Sequence, residues 1–246
     1  GVANEEGVLL FFFKATATTG IYTLSLHDAL PICVEGVGVA ERAYQHARDY
    51  AVERVQSRAI GGSDSSDSVT IDHHPDVRRM LLSMRAQTEA MRALALYAAA
   101  QLDAAKRHPD EAQRKDAQAR VDLLIPVVKA WSTDTAIDVA NTGIQVLGGA
   151  GYIEESGAAQ YLRDVRITAI YEGTNGIQAL DLVGRKVARD RGAAAHALIA
   201  DMRALDIGQG GEGDDLGVIE NALGDGIDAL RDRKSTRLNS SHTSIS

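Results

Sequence analysis

Between residues 34 and 200 the sequence repeats one pattern, apolar or small residues three or four positions apart, and contains no alternating run of β-branched residues. Steps of three and four place side chains on one stripe of an α-helix, whereas a half-buried strand needs strict alternation. The first stripe, Val37, Ala40, Tyr44, Ala47, Ala51 and Val55, predicts a helix from Val34 to about Ser57. Gly61–Asp72 (GGSDSSDSVTID) reads as a polar loop, and Pro75 suits the first turn of a second helix. That helix carries Val77, Met80, Leu81, Met84, Met91, Leu94, Ala98 and Leu102 and breaks near Pro109. A third carries Val121, Leu124, Ile125, Val128, Trp131, Thr135 and Val139, with Pro126 inside it, and ends at Gly148–Gly151. Shorter helices are predicted over about 156–166, from Asn175 to about Asp190, and over 192–206. The fold class is all-α: an antiparallel helical bundle whose short connections join neighbours.

Charge narrows the possible partners. The 246 residues hold 26 Lys+Arg against 34 Asp+Glu, a net of −8, so no basic face is available for nucleic acid or an anionic membrane. A lone cysteine, Cys33, excludes a disulfide framework and a cysteine zinc site. His73 and His74 are adjacent and point apart, with no third ligand at the usual spacing, so they read as surface residues and no metal site is expected. No run of about 18 apolar residues is present to span a membrane, and a cytoplasmic location is expected.

The two ends differ from the middle. All three Phe are consecutive, Phe11 to Phe13, and residues 233–246 (RKSTRLNSSHTSIS) are rich in Ser and Thr with no apolar face. Both ends resemble translated sequencing-adapter sequence. The expected organisation is a non-native, unstructured or poorly packed 1–33, a helical bundle over 34–206, a linker at 207–217, the start of a further helix at 218–232, and a non-native tail at 233–246.

Two segments carry candidate chemistry. In Gln145–Gly151 (QVLGGAG), glycines permit close approach of backbone N–H groups to a phosphate, but a helix rather than a strand precedes them, so this is no dinucleotide-binding fingerprint. A plain helix C-cap explains the same glycines. In Ile170-Tyr171-Glu172-Gly173-Thr174, Glu172 follows two apolar residues at a helix start. A carboxylate against an apolar wall is a candidate general base, and a carboxylate at a helix start is equally a capping group.

Taken in order, Gln145–Gly151, Leu162–Ile167 (LRDVRI) and Ile170–Thr174 (IYEGT) resemble the C-terminal helical domain of the acyl-CoA dehydrogenase family over about Val34–Arg189. The run IYEGTNGIQALDLVGRK and the polar loop at 61–72 are most similar to the long bacterial branch. The resemblance implies FAD-dependent α,β-dehydrogenation of an acyl-CoA thioester, as in fatty acid metabolism, with Glu172 as the base for the α-proton. It implies that Tyr171 lines the acyl pocket and that Gly173 keeps the backbone slim beside it. Arg54, Gln145, Gly148, Gly149 and Thr174 match positions that contact FAD held mainly by a neighbouring subunit. A homo-oligomer, dimer or higher, and an electron-transfer flavoprotein as acceptor follow from the same likeness. Two positions depart from the family pattern: Ser57-Arg58 stands where Phe-Gly is common, and Gly176 where Gln is frequent. The family's N-terminal helical domain and β-barrel have no counterpart in these residues, so the chain alone is expected to be inactive and poor in FAD. The alternatives are a non-catalytic helical oligomerisation module and an acyl-CoA oxidase.

Overall fold

The computed structural model describes residues 26–59, 67–204 and 221–229. Its helices are α1 (Leu26–Glu53), α2 (Pro75–Arg107), α3 (Glu111–Leu147), the single turn α4 (Gly149–Tyr152), α5 (Ala158–Arg166), α6 (Asn175–Asp181) and α7 (Ala193–Ala204). The all-α expectation holds among the described residues, where β-pairing is confined to an isolated antiparallel bridge, Val55 to Thr70.

Helix α1 begins at Leu26, eight residues before the expected Val34. Ala29, Ile32 and Cys33 are buried, and Ala29 clusters with Val121 and Ile125, with Leu30 and Leu102 packed against them. The expectation that 1–33 is poorly packed is therefore corrected for 29–33, while residues 1–25 lie outside the described residues. The physical reason is periodic: Ala29, Ile32, Cys33 and Gly36 extend the stripe of Val37 and Ala40 upstream at the same spacing. At its other end α1 stops at Glu53, short of the expected Ser57. There Gln56 N–H donates to Val69 O and Val69 N–H to Ser57 O, each 2.9 Å, so the chain turns extended and Val55 is exposed.

Pro75 opens α2, and Met80, Met84 and Met91 form its buried stripe as expected. Asp110 caps α3, its carboxylate accepting from Ala112 N–H at 3.0 Å. Helix α3 then runs 37 residues without a break in its helical range at Pro126, which is buried. It is the central element, packing on α1, α2, α5 and α6. Small residues let it approach α1 closely: a Cβ added at Gly36 would sit 3.5 Å from Ala136 Cβ, and one at Gly143 3.5 Å from Ala43 O. These contacts run in register, so α1 and α3 are parallel and α2 is antiparallel to both. The C-terminal ends of α1 and α3 therefore emerge side by side. One residue departs from the expected stripe: Trp131 is 40% exposed, and Lys129, Ser132 and Thr133 take the buried positions around it.

The chain divides into two compact units between Arg185 and Lys186, inside the span 34–206 expected to form the bundle. A π-helical stretch, Leu182–Val187, lies at this division, and Arg191 and Gly192 adopt positive φ just beyond it. In the second unit the Asp190 carboxylate accepts from Gly192 and Ala194 N–H, and Arg203 pairs with Asp228. Residues 221–229 are helical, within the expected 218–232 segment. The 207–217 linker and the 233–246 tail lie outside the described residues.

With few aromatic side chains available, methionines carry much of the core between α1, α2 and α3. Met91→Ala, at a fully buried position, is expected to cost about 2–5 kcal/mol by leaving a cavity, measured as a lowered urea midpoint with an unchanged m-value.

Candidate active site

The paired ends of α1 and α3 frame a groove of about 740 Å³. Tyr50, Arg54 and Arg58 line one side, Gln145, Gly148 and Gly149 the other, and His74 lies between. Four of the residues expected to contact a cofactor, Arg54, Gln145, Gly148 and Gly149, thus meet in one place although some ninety positions separate them in sequence. Gly148 N–H donates to Gln145 O at 3.1 Å and closes α3, and its φ of 61° and ψ of −136° are open to glycine alone at no strain. The turn is consequently both a helix terminator and a groove wall. Gly151 is required by contact: a Cβ there would lie 2.4 Å from Ile144 O. Two helix C-termini bring partial negative charge to this groove, and the exposed guanidinium groups of Arg54 and Arg58 offset it. That donor set suits the phosphates of a dinucleotide. Ser57, where Phe is common in the family, adopts a φ of 59° between the two arginines.

His74 is half-buried rather than a free surface residue, its Nε2 lying 2.7 Å from Gln56 O. His73 contacts Asp72 at 3.0 Å. Among the described residues no group of three His, Cys, Asp or Glu is placed to hold a metal ion.

The second cluster is the loop between the 3-10 turn Ile167–Ala169 and α6. Glu172 has a φ of 51° and Gly173 a φ of 85°, so two consecutive residues are left-handed, and for Glu172 this conformation costs about 1 kcal/mol. The Glu172 carboxylate is exposed, so the apolar wall expected beside it is not supplied by Ile170 or Tyr171. The Tyr171 hydroxyl donates to Glu35 Oε2 at 2.7 Å, which ties the loop to α1; burial and the Glu35 carboxylate both push its ionisation well above the ordinary phenol range. Thr174 is exposed at the N-cap of α6, and its carbonyl accepts from Ile177 N–H at 2.8 Å and Gln178 N–H at 3.0 Å. Tyr171, Glu172, Gly173 and Thr174 are absent from the lining of the groove, so the candidate residues form two clusters rather than one.

The sequence reading missed Lys129. This side chain is fully buried in α3, and its Nζ donates to Gly173 O at 2.9 Å and to Asn175 Oδ1 at 3.0 Å. Asn175 Nδ2 in turn donates to Asp134 Oδ1 at 2.7 Å and to Thr133 Oγ1 at 3.0 Å. Burial lowers the Lys129 ammonium to about 8, against the opposing pull of Asp134 and Glu172. The signal in sequence was a charged residue inside the apolar run Leu123–Ala130, at four-residue spacing from Ile125 and Thr133.

Compared with known proteins, residues 26–187 match the family described as acyl-CoA dehydrogenase, C-terminal domain. The chain is 53% identical over 176 residues to 3-methylmercaptopropionyl-CoA dehydrogenase of Ruegeria pomeroyi, covering 72% of this chain and 29% of that protein. It is 37% identical over 182 residues to the broad-specificity linear acyl-CoA dehydrogenase FadE5 of Mycobacterium tuberculosis, covering 72% and 30%. Among solved structures, Caenorhabditis elegans ACDH-11 in complex with C11-CoA matches with a TM-score of 0.60 at 25% identity, over 71% of this chain and 27% of that one. The chain spans less than a third of the length of these relatives.

The lowered lysine has a measurable consequence. Below pH 8 Lys129 is protonated in both the folded and the unfolded chain. Between about 8 and its ordinary value of 10.5 the unfolded chain binds the proton more strongly, so this residue's contribution to stability rises with pH. Relative to Lys129→Met, the wild-type chain is expected to gain stability from pH 7.5 to 10, on the order of 3 kcal/mol at most, read from paired urea midpoints. A difference that stays flat across this window would place an ordinary lysine at 129.

Proposed function

Because the chain belongs to the acyl-CoA dehydrogenase family through its C-terminal helical domain, we propose that it supplies the base and an outer cofactor wall for α,β-dehydrogenation of an acyl-CoA thioester. The observation that carries this reading is the Tyr171–Thr174 loop, which presents an exposed carboxylate from a left-handed backbone whose next carbonyl accepts from a buried ammonium. In this reading Glu172 removes the proton from the α-carbon of the thioester. The electron pair left behind forms the double bond as the β-hydrogen departs with its own pair. An α-proton of a thioester is weakly acidic, so removal also needs charge stabilisation at the thioester oxygen, a role the resemblance gives to the backbone N–H of Glu172. Tyr171 lines the acyl side, positioned by its bond to Glu35, and Gly173 leaves space beside the reacting carbons.

The cationic and glycine-lined groove fits the phosphates of FAD, with Arg54, Gln145, Gly148 and Gly149 as its contacts, while Thr174, on the Tyr171–Thr174 loop and outside this groove, is a separate FAD contact by resemblance. When bound, the flavin supplies the acceptor for the β-hydrogen. In this reading that FAD is held mainly by a neighbouring subunit, as the resemblance implies, so the reading includes a homo-oligomer, with an electron-transfer flavoprotein as the next acceptor. No helix among the described residues is long and apolar enough to cross a membrane, and the cytoplasm is the proposed location.

The test is a chimera in which residues 26–187 replace the matching segment of the Ruegeria pomeroyi relative. It is expected to hold FAD and to reduce an artificial electron acceptor with an acyl-CoA substrate. Glu172→Gln should keep the flavin spectrum and lower kcat by roughly 10²–10⁴-fold, the usual worth of a positioned base. Unchanged turnover in that variant removes Glu172 from the chemistry. A chimera that folds and binds FAD without turnover favours the non-catalytic module.

A further inference from the structure

We propose that Lys129 is the positioning residue of the Tyr171–Thr174 loop, holding Glu172 in its left-handed conformation through hydrogen bonds to Gly173 O and the Asn175 side chain. The catalytic meaning of this rests on the reading of Glu172 as a base, but the structural claim does not.

Three features lead to it. First, a left-handed glutamate followed by a left-handed glycine is a conformation the loop has no local reason to keep. The carbonyl between these residues and α6 is where the outside restraint falls: Gly173 O accepts from Lys129 at 2.9 Å and from Gln178 Nε2 at 3.5 Å. Second, the two direct partners of the ammonium are neutral oxygens, so its burial is not explained by an ion pair. Bringing a cation out of water without a touching carboxylate is costly, and a methionine would fill the same space at lower cost. Third, the lysine orients Asn175. With the Asn175 Oδ1 facing the ammonium, its Nδ2 faces Ala130 O, Thr133 Oγ1 and Asp134 Oδ1, so one amide links the cation to a carboxylate one helical turn along α3. Asn175 is also the first residue of α6, so the same contact fixes where the loop ends and the helix starts.

The experiment is amide hydrogen exchange and nitrogen chemical shifts on the uniformly 15N-labelled 246-residue chain, comparing wild type with Lys129→Met and Asn175→Ala. In Lys129→Met, exchange at the hydrogen-bonded amides tied to the loop, Tyr171, Ile177 and Gln178, is expected to rise at least tenfold, while amides in the middle of α2 and α3 stay within about threefold of wild type, a local rather than global opening. Asn175→Ala should raise the same residues by a smaller factor. In wild type alone, the Thr174 nitrogen, bonded to the Gly173 carbonyl carbon, should shift between pH 7 and 10 as Lys129 titrates. The charged groups facing it are Asp134 on α3 and Glu172 on the loop. A lysine that merely fills the core would leave this titration absent and raise exchange evenly or not at all, and either result overturns the proposal. Should Lys129→Met fail to fold, Asn175→Ala decides: unchanged exchange at Tyr171, Ile177 and Gln178 overturns it, a local rise supports it. Because no flavin or substrate enters the measurement, failure of the dehydrogenase reading in the chimera leaves this result separately readable.

Discussion

The bond from the Lys129 ammonium to the Gly173 carbonyl joins the core of the bundle to the strained Tyr171–Thr174 loop. One end is the middle of α3, the most buried helix of the fold; the other is a loop with two left-handed residues and an exposed carboxylate. Everything that fixes α3 therefore fixes the loop. The glycine and alanine contacts with α1, the methionine layer of α2 and the fully buried valines of α3 at 121, 128 and 139 all hold the lysine's backbone in place. A rigid origin matters because a catalytic group displaced by about 1 Å loses much of its effect.

The same helix serves the second cluster by its length. Sixteen residues separate Lys129 from Gln145, about 24 Å at 1.5 Å per residue, so the Tyr171–Thr174 loop and the arginine- and glycine-lined groove are held at opposite parts of one helix. The parallel run of α1 and α3 places Arg54 beside Gly148. Had the two helices been joined by a tight turn they would be antiparallel, and the arginine would lie at the wrong end. The intervening α2, antiparallel to both, is what makes the groove possible.

The helices and their order were legible in the sequence, because burial of one face imposes its period on the letters. What was not legible follows from the same cause. The start of α1 was hidden because residues 29–33 follow the period but sit in a segment whose composition looks foreign. Trp131 fitted the apolar stripe by letter and is exposed, since α3 is surrounded on several sides and its buried face is set by all of them together. Lys129 falls between the stripe positions Val128 and Trp131, and a charged letter there gives no sign by itself that the side chain is buried. At the sites, Glu172 and the glycine turn stood out as motifs, whereas the meeting of Arg54 with Gly148 and Gly149 depends on tertiary contacts that no local spacing encodes.

The buried lysine also bears on what kind of protein this domain serves. A bundle whose task was only to associate with copies of itself would gain from an apolar residue at 129, because replacing a buried charge with a well-packed hydrophobe is often neutral or stabilising. It would gain again from relaxing Glu172 out of the left-handed region. Both costs fall on the same four-residue loop, and each makes the other intelligible: the cation restrains a conformation that the local chain resists, and the conformation places one carboxylate outside the core on a fixed backbone. Stability spent twice at one exposed carboxylate supports the proposed use of Glu172 in chemistry over a purely associating surface.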